Sequence, residues 1–119
     1  MATSKRTYPR PVGSIFVWSD TQASRWIRSS VVNKQAQLVF VEHAKERSTE
    51  RKISQDEAHE CICCGTTSNW EKGTNPESMR LKFSKTSRTE IIEVVVSLLD
   101  EDPSIYVVTM WARKPRGGR

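Results

Sequence analysis

Two runs of β-branched and aromatic residues, Ile91-Ile92-Glu93-Val94-Val95-Val96-Ser97-Leu98-Leu99 and Ile105-Tyr106-Val107-Val108-Thr109-Met110-Trp111, are separated by only five residues, Asp100-Glu101-Asp102-Pro103-Ser104. Branched side chains crowd a helix and pack well on a pleated surface. Ile91, Ile92, Val95, Leu98 and Leu99 also fit one helical face. The acidic, proline-containing turn between two such runs nevertheless specifies a hairpin of 90–99 with 104–111. Upstream, Met79, Leu81 and Phe83 alternate with Arg80, Lys82 and Ser84, the period of a half-buried strand, which extends the hairpin into a meander. The expected fold class is α+β: a small single domain with a mainly antiparallel sheet and one or two short helices.

The helices are announced by their caps. Ser19 with Gln22 three residues on resembles a capping box, and Ala23, Trp26, Ile27 and Ser30 or Val31 recur at helical spacing, so a helix is expected over 20–31. Ser54 with Glu57 is a second capping box, opening a short helix or turn that leads into His59 and the cysteines. Two further strands are expected, a short one at Ile15-Phe16-Val17-Trp18 and one at 37–41, where Leu38 to Val41 is continuously apolar and suits burial on both faces. Residues 65–78, with Gly65, Gly73, Pro76 and many Ser, Thr and Asn, read as a long surface loop. Trp70 stands in it with no evident core to join.

A chain of 119 residues has room for one domain, of a size at which a metal or other staple helps stability. No apolar run approaches the roughly 20 residues that span a bilayer, so no membrane association is expected. The first eleven residues lack the apolar stretch of a secretory signal, which places the chain in a reducing compartment. There, three cysteines gathered in Cys61-Ile62-Cys63-Cys64-Gly65 suggest metal or redox chemistry rather than a disulfide framework. Cys61 and Cys64 have Cys-x-x-Cys spacing, and two thiolates three apart in a tight turn can grip one zinc ion, Gly65 letting the turn close. Tetrahedral zinc needs two more donors. His43, at the end of the 37–41 strand, and His59, near the cysteines, complete the expected set of Cys61, Cys64, His43 and His59, with Cys63 as the substitute. A vicinal-thiol redox switch and a catalytic cysteine are the competing readings; the second lacks a fixed base and orienting partner, so no catalytic residue is assigned and no enzyme is expected.

The net charge of +5 is unevenly spread. Lys5, Arg6 and Arg10 near the start and Arg113, Lys114, Arg116 and Arg119 near the end face no acid in their own segments; the body between them holds all fourteen acids against twelve cations. The expected organisation is a basic flexible arm over 1–12, a zinc-binding domain over 13–111 and a basic flexible tail over 112–119. Such arms neutralise phosphates without reading sequence, which makes these seven residues the candidate nucleic-acid contacts and RNA a candidate partner. Arg80, Lys82, Lys85 and Arg88 add a second acid-free group, and Trp18, Trp26, Trp70, Trp111 and Tyr106 are candidate stacking surfaces. The duller reading makes the ends solubilising tails and most of the tryptophans core.

Phe16-Val17-Trp18 with the Ser-, Thr- and Trp-containing stretch after it, the strand from Leu38 to His43, and the run Cys61 to Cys64 together resemble the protein encoded by the first open reading frame of sobemoviruses, plant RNA viruses. The resemblance covers about half the chain. It implies a zinc-binding suppressor of host RNA silencing that supports viral spread, acting in the host cytoplasm or nucleus on RNA or on a host silencing-pathway protein. The family pattern places a Cys-x-x-Cys after that strand; here the place is taken by His43-Ala44-Lys45-Glu46, so only His43 carries over, and the fourth ligand stays open among His59, Cys63 and Glu46. A cellular zinc-ribbon-like adaptor that binds a protein partner is the alternative. Oligomeric state is open, a homo-oligomer being compatible with either reading.

Overall fold

The computed structural model describes residues 8–42, 44–46, 53–68, 70–86 and 89–114. Their architecture is α+β. A six-stranded mixed sheet carries its helices on one face, and the order of elements is a 3-10 turn (Ile15–Val17), α1 (Asp20–Asn33), β1 (Leu38–Phe40), α2 (Gln55–Cys64), β2 (Thr66–Thr67), β3 (Glu71–Lys72), β4 (Ser78–Thr86), β5 (Ile91–Leu99) and β6 (Asp102–Arg113). The expected meander is present: β4, β5 and β6 pair antiparallel in sequence order.

The strand order is β1-β6-β5-β4-β2, with β3 also on β4. β1 joins the far edge parallel to β6, Leu38 opposite Ile105 and Phe40 opposite Val107. It is a three-residue strand of intermediate burial rather than one enclosed on both faces, and β6 is its only partner in the sheet among the described residues. Two other expectations are corrected. Ile15–Val17 forms a 3-10 turn capped by the Ser14 hydroxyl, with Ile15 buried and Val17 exposed. The 65–78 segment is a loop that contributes two short strands, β2 and β3, to the free edge of β4.

Both capping boxes form. Ser19 and Gln22 close the start of α1, and Ser54 and Glu57 the start of α2. α1 buries Ala23, Trp26, Ile27, Ser30 and Val31, the helical stripe read from the sequence. The end of α2 is fixed by Arg28 of α1, whose guanidinium donates to the carbonyls of Ile62 (3.1 Å) and Gly65 (2.5 Å). A cation there satisfies carbonyls that the helix leaves unpaired.

The core lies between the helices and one face of the sheet. Leu81 and Phe83 of β4, Val94, Val96 and Leu98 of β5, and Ile105, Val107 and Met110 of β6 join Ile27, Ala58, Cys61 and Ile62 in one cluster. Trp70 belongs to it. Its ring stacks on Trp18 (centroids 6.0 Å apart), its Nε1 donates to the Ile15 carbonyl at 3.1 Å, and its amide donates to the Asp20 carboxylate. The loop thus carries an anchor, not an exposed stacking ring.

Candidate functional site

Strand alternation sends every second residue of β4, β5 and β6 to the face that carries no helix. On β4 these are Arg80, Lys82 and Ser84; on β5, Glu93, Val95 and Ser97. β6 switches parity. Val96 pairs with Val107, but Val95 pairs with Thr109, so Val108 is the extra residue of a β-bulge. Strict alternation would put Tyr106 and Trp111 on opposite faces. The bulge puts Tyr106, Thr109, Trp111 and Arg113 on the same, uncovered one, where Trp111 stands directly opposite Glu93 and Arg113 opposite Ile91.

At the centre of this face is Glu93, 5% exposed. Its carboxylate accepts from the Ser84 hydroxyl (3.1 Å) and from Arg113 (3.4 Å), and Lys82 Nζ lies 3.8 Å away. Burial alone would raise its pKa; the hydrogen bonds from Arg113 and Ser84 and the charges of Lys82 and Arg113 outweigh that and hold it below the usual value. Glu93 stays ionised and fixes two cations beside Trp111. Arg80 is held in the same way by Glu71, through Nε (3.1 Å) and Nη2 (3.0 Å). Ser68, Glu71, Arg80, Lys82, Val95 and Trp111 line a depression of about 360 Å³. The surface is thus a shallow trough with an aromatic wall and cations at fixed positions.

Charge is polarised along the strands. The end where β4 and β6 finish holds Arg113 and Lys114 with Glu90, and Lys85 on the helix-bearing face 3.7 Å from Glu60, while the β5–β6 turn at the other end holds Asp100, Glu101 and Asp102. Asp100 is occupied: Ser14 Oγ donates to it at 2.6 Å and the Ile15 amide at 2.8 Å, and these bonds hold its pKa low.

The seven expected nucleic-acid contacts divide. Lys5, Arg6, Arg116 and Arg119 lie outside the described residues. Lys114 is exposed next to Arg113, which is not part of a separate tail but the last residue of β6. Arg10 is not free for a phosphate. Its guanidinium lies over the rings of Trp18 (5.1 Å) and Trp26 (4.9 Å) and donates to the Asp100 carbonyl. Together with Tyr8, whose amide donates to Ser29 Oγ, it straps the described part of the first arm to the domain.

The cysteines stand in the last turns of α2, not in a knuckle after it. Cys61 is fully buried, and its Sγ donates to the Ile92 carbonyl at 3.4 Å. Burial, opposed in part by the charges of Lys85 and Arg28, pushes its thiol up to about 11. Cys64 is exposed, and Cys63 is intermediate. Gly65 serves close approach: a Cβ there would meet the Cys61 and Ser84 carbonyl oxygens at 2.5 Å each. His43 lies outside the described residues. His59 is exposed on α2 and meets Cys63 rather than Cys61 or Cys64. Among the described residues, no three His, Cys, Asp or Glu side chains come together as a metal site. The expected four ligands are therefore not assembled by the described residues, with Cys61 committed to the core.

The sheet-face residues missed as a group, Glu93 above all, carried little signal, since a lone acid in an apolar strand shows neither its burial nor its partners. No helix among the described residues is long and apolar enough to cross a membrane. No curated protein matches the chain, and no solved structure does. One family model, described as a domain of unknown function (DUF4258), matches residues 40–111, a span that runs from the end of β1 through Trp111 and contains Arg80, Lys82 and Glu93. With more than half of its length matched, the chain belongs to the DUF4258 family.

Proposed function

We propose that this protein binds single-stranded RNA on the uncovered face of its sheet. The observation that carries the reading is the grouping of Trp111 with Lys82, Arg113 and Arg80, the cations held in place by buried Glu93 and by Glu71. An open sheet with an aromatic ring offers unpaired bases a stacking surface, and fixed cations beside it meet the phosphates that follow. A duplex hides its base faces and has less to gain from such a surface. Lys114, exposed next to Arg113, adds a further cation at that end of the face, and Arg116 and Arg119 follow it in the sequence. Silencing suppression and support of viral spread, implied by the resemblance to the sobemovirus proteins, would follow from sequestering RNA in this way.

Titration of an oligouridylate into the protein, followed by tryptophan fluorescence, tests this. Trp18, Trp26 and Trp70 are buried and Trp111 is only partly covered, so the quench should come from Trp111 and disappear in Trp111→Phe. A quench of equal size in that variant would move the site elsewhere.

A further inference from the structure

Trp111 is not the only ring on the uncovered face. Tyr106 lies on the same side of β6, half-buried, and stands opposite Ser97 of β5, which in turn stands opposite Arg80 of β4. Arg80, Ser97 and Tyr106 thus form one rung across the sheet, as Ser84, Glu93 and Trp111 form another, and Lys82, Val95 and Thr109 form the rung between. Glu93 and Ser97 are four residues apart on β5, which separates the two aromatic rungs by roughly 13 Å. Arg80 joins the two halves of the surface. It lines the depression beside Trp111 and a second one of about 230 Å³, whose walls include Thr74, Asn75, Ser97 and Val108. We infer that Tyr106 is a second base-stacking position, so that one RNA strand lies across the face with one base on Trp111, another on Tyr106, and its phosphates on Lys82 and Arg80 between them. This second position presupposes RNA on the sheet face and adds to it a length requirement.

Two rings on an open sheet hold two or three bases of a single strand, because the base faces are uncovered and stack on any aromatic ring. The Tyr106 hydroxyl donates to the Asp102 carboxylate. That bond limits the motion of the ring before a base arrives, so less freedom is lost on stacking. Ser97, its neighbour across the strands, is small and leaves room over the rung. A backbone passing from one ring to the other meets Lys82, 3.8 Å from Glu93, and Arg80, paired with Glu71. Beyond Tyr106 the surface turns acidic at Glu101 and Asp102, which repel phosphates and bound the strand there, whereas Arg113 and Lys114 continue it past Trp111.

Oligouridylates of one to six nucleotides, titrated into the full chain with the Trp111 quench as readout, test this. Affinity should rise once an oligomer reaches both rings. Tyr106→Ala should flatten that rise and weaken binding of the hexamer by about 5- to 150-fold, the 1–3 kcal/mol of one stacked base, while leaving the weak quench by uridine monophosphate unchanged. Tyr106→Leu, which keeps apolar bulk without a ring, should behave as the alanine variant does and replaces it if that one does not fold. Tyr106→Phe removes the bond to Asp102 and keeps the ring, so it should bind the hexamer nearly as the unmodified protein does; urea melts check that each variant is folded. Unchanged hexamer affinity in folded Tyr106→Ala or Tyr106→Leu, or an equal loss in Tyr106→Phe, would overturn the second position and leave Trp111 as the single stacking site. Absence of any quench in the unmodified protein at every length would overturn RNA binding at Trp111 and the second position with it.

Discussion

The carboxylate of Glu93 lies 3.4 Å from the guanidinium of Arg113, across neighbouring strands on the uncovered face of the sheet, and it is almost fully enclosed there. A buried acid held ionised by two cations and a hydroxyl is linked to pH. Its pKa is lower folded than unfolded, so the stability it contributes is present above the unfolded value of about 4.3 and is lost as pH falls through the folded one. Urea melts from pH 6 down to pH 3 should show that loss, and Glu93→Gln should flatten it.

Trp70 was legible as unusual, not as what it is. In a polar loop it offers no periodicity, and its partners Trp18 and Ile15 are more than fifty residues away. Trp70→Ala should cost about 3–5 kcal/mol, as for other buried aromatics. Trp70→Phe should cost about 1 kcal/mol for the lost bond to the Ile15 carbonyl. Both are read by denaturant melts. RNA affinity of the folded Trp70→Phe variant should be unchanged; a loss of binding would return Trp70 to the interface.

The three thiols should react in a fixed order. Alkylation follows exposure and thiolate character. Cys64 is exposed, Cys63 half-covered, and Cys61 is buried with its thiol pushed up to about 11. Mass spectrometry after brief iodoacetamide treatment at neutral pH should find Cys64 modified first, then Cys63, and Cys61 only after unfolding. Early labelling of Cys61 would contradict its place in the core.

Gly65 gives a packing test. Because its added Cβ would collide with backbone oxygens of Cys61 and Ser84, Gly65→Ala should destabilise the protein by about 1–3 kcal/mol, the range for forced overpacking. An unchanged melting midpoint would show that β4 can move aside.

The meander, α1 and both capping boxes were readable because each rests on local chemistry: β-branched runs, 3.6-residue periodicity, a hydroxyl three residues before its partner. The position of β1 was not, since pairing with β6 joins residues 38–40 to residues 105–107 and depends on how the chain returns across the sheet. For the site, the cations and Trp111 were visible one by one. Their assembly was not, because it needs the bulge at Val108, and Val107-Val108-Thr109 contains no glycine or proline to mark it. The cysteine spacing pointed to a turn; the capping box at Ser54 instead propagates a helix through Cys64, which buries Cys61 and exposes Cys64.

The central claim is that RNA lies on the sheet face, and the salt dependence of binding tests it most directly. Fluorescence anisotropy of a labelled single-stranded RNA, measured over a series of salt concentrations, should give a linear fall of log K with log salt, each neutralised phosphate contributing about 0.7 to the slope. Lys82→Gln and Arg113→Gln should each weaken binding and reduce the slope by about 0.7. Absence of binding at low salt, or slopes in both variants equal to that of the unmodified protein, would contradict the account.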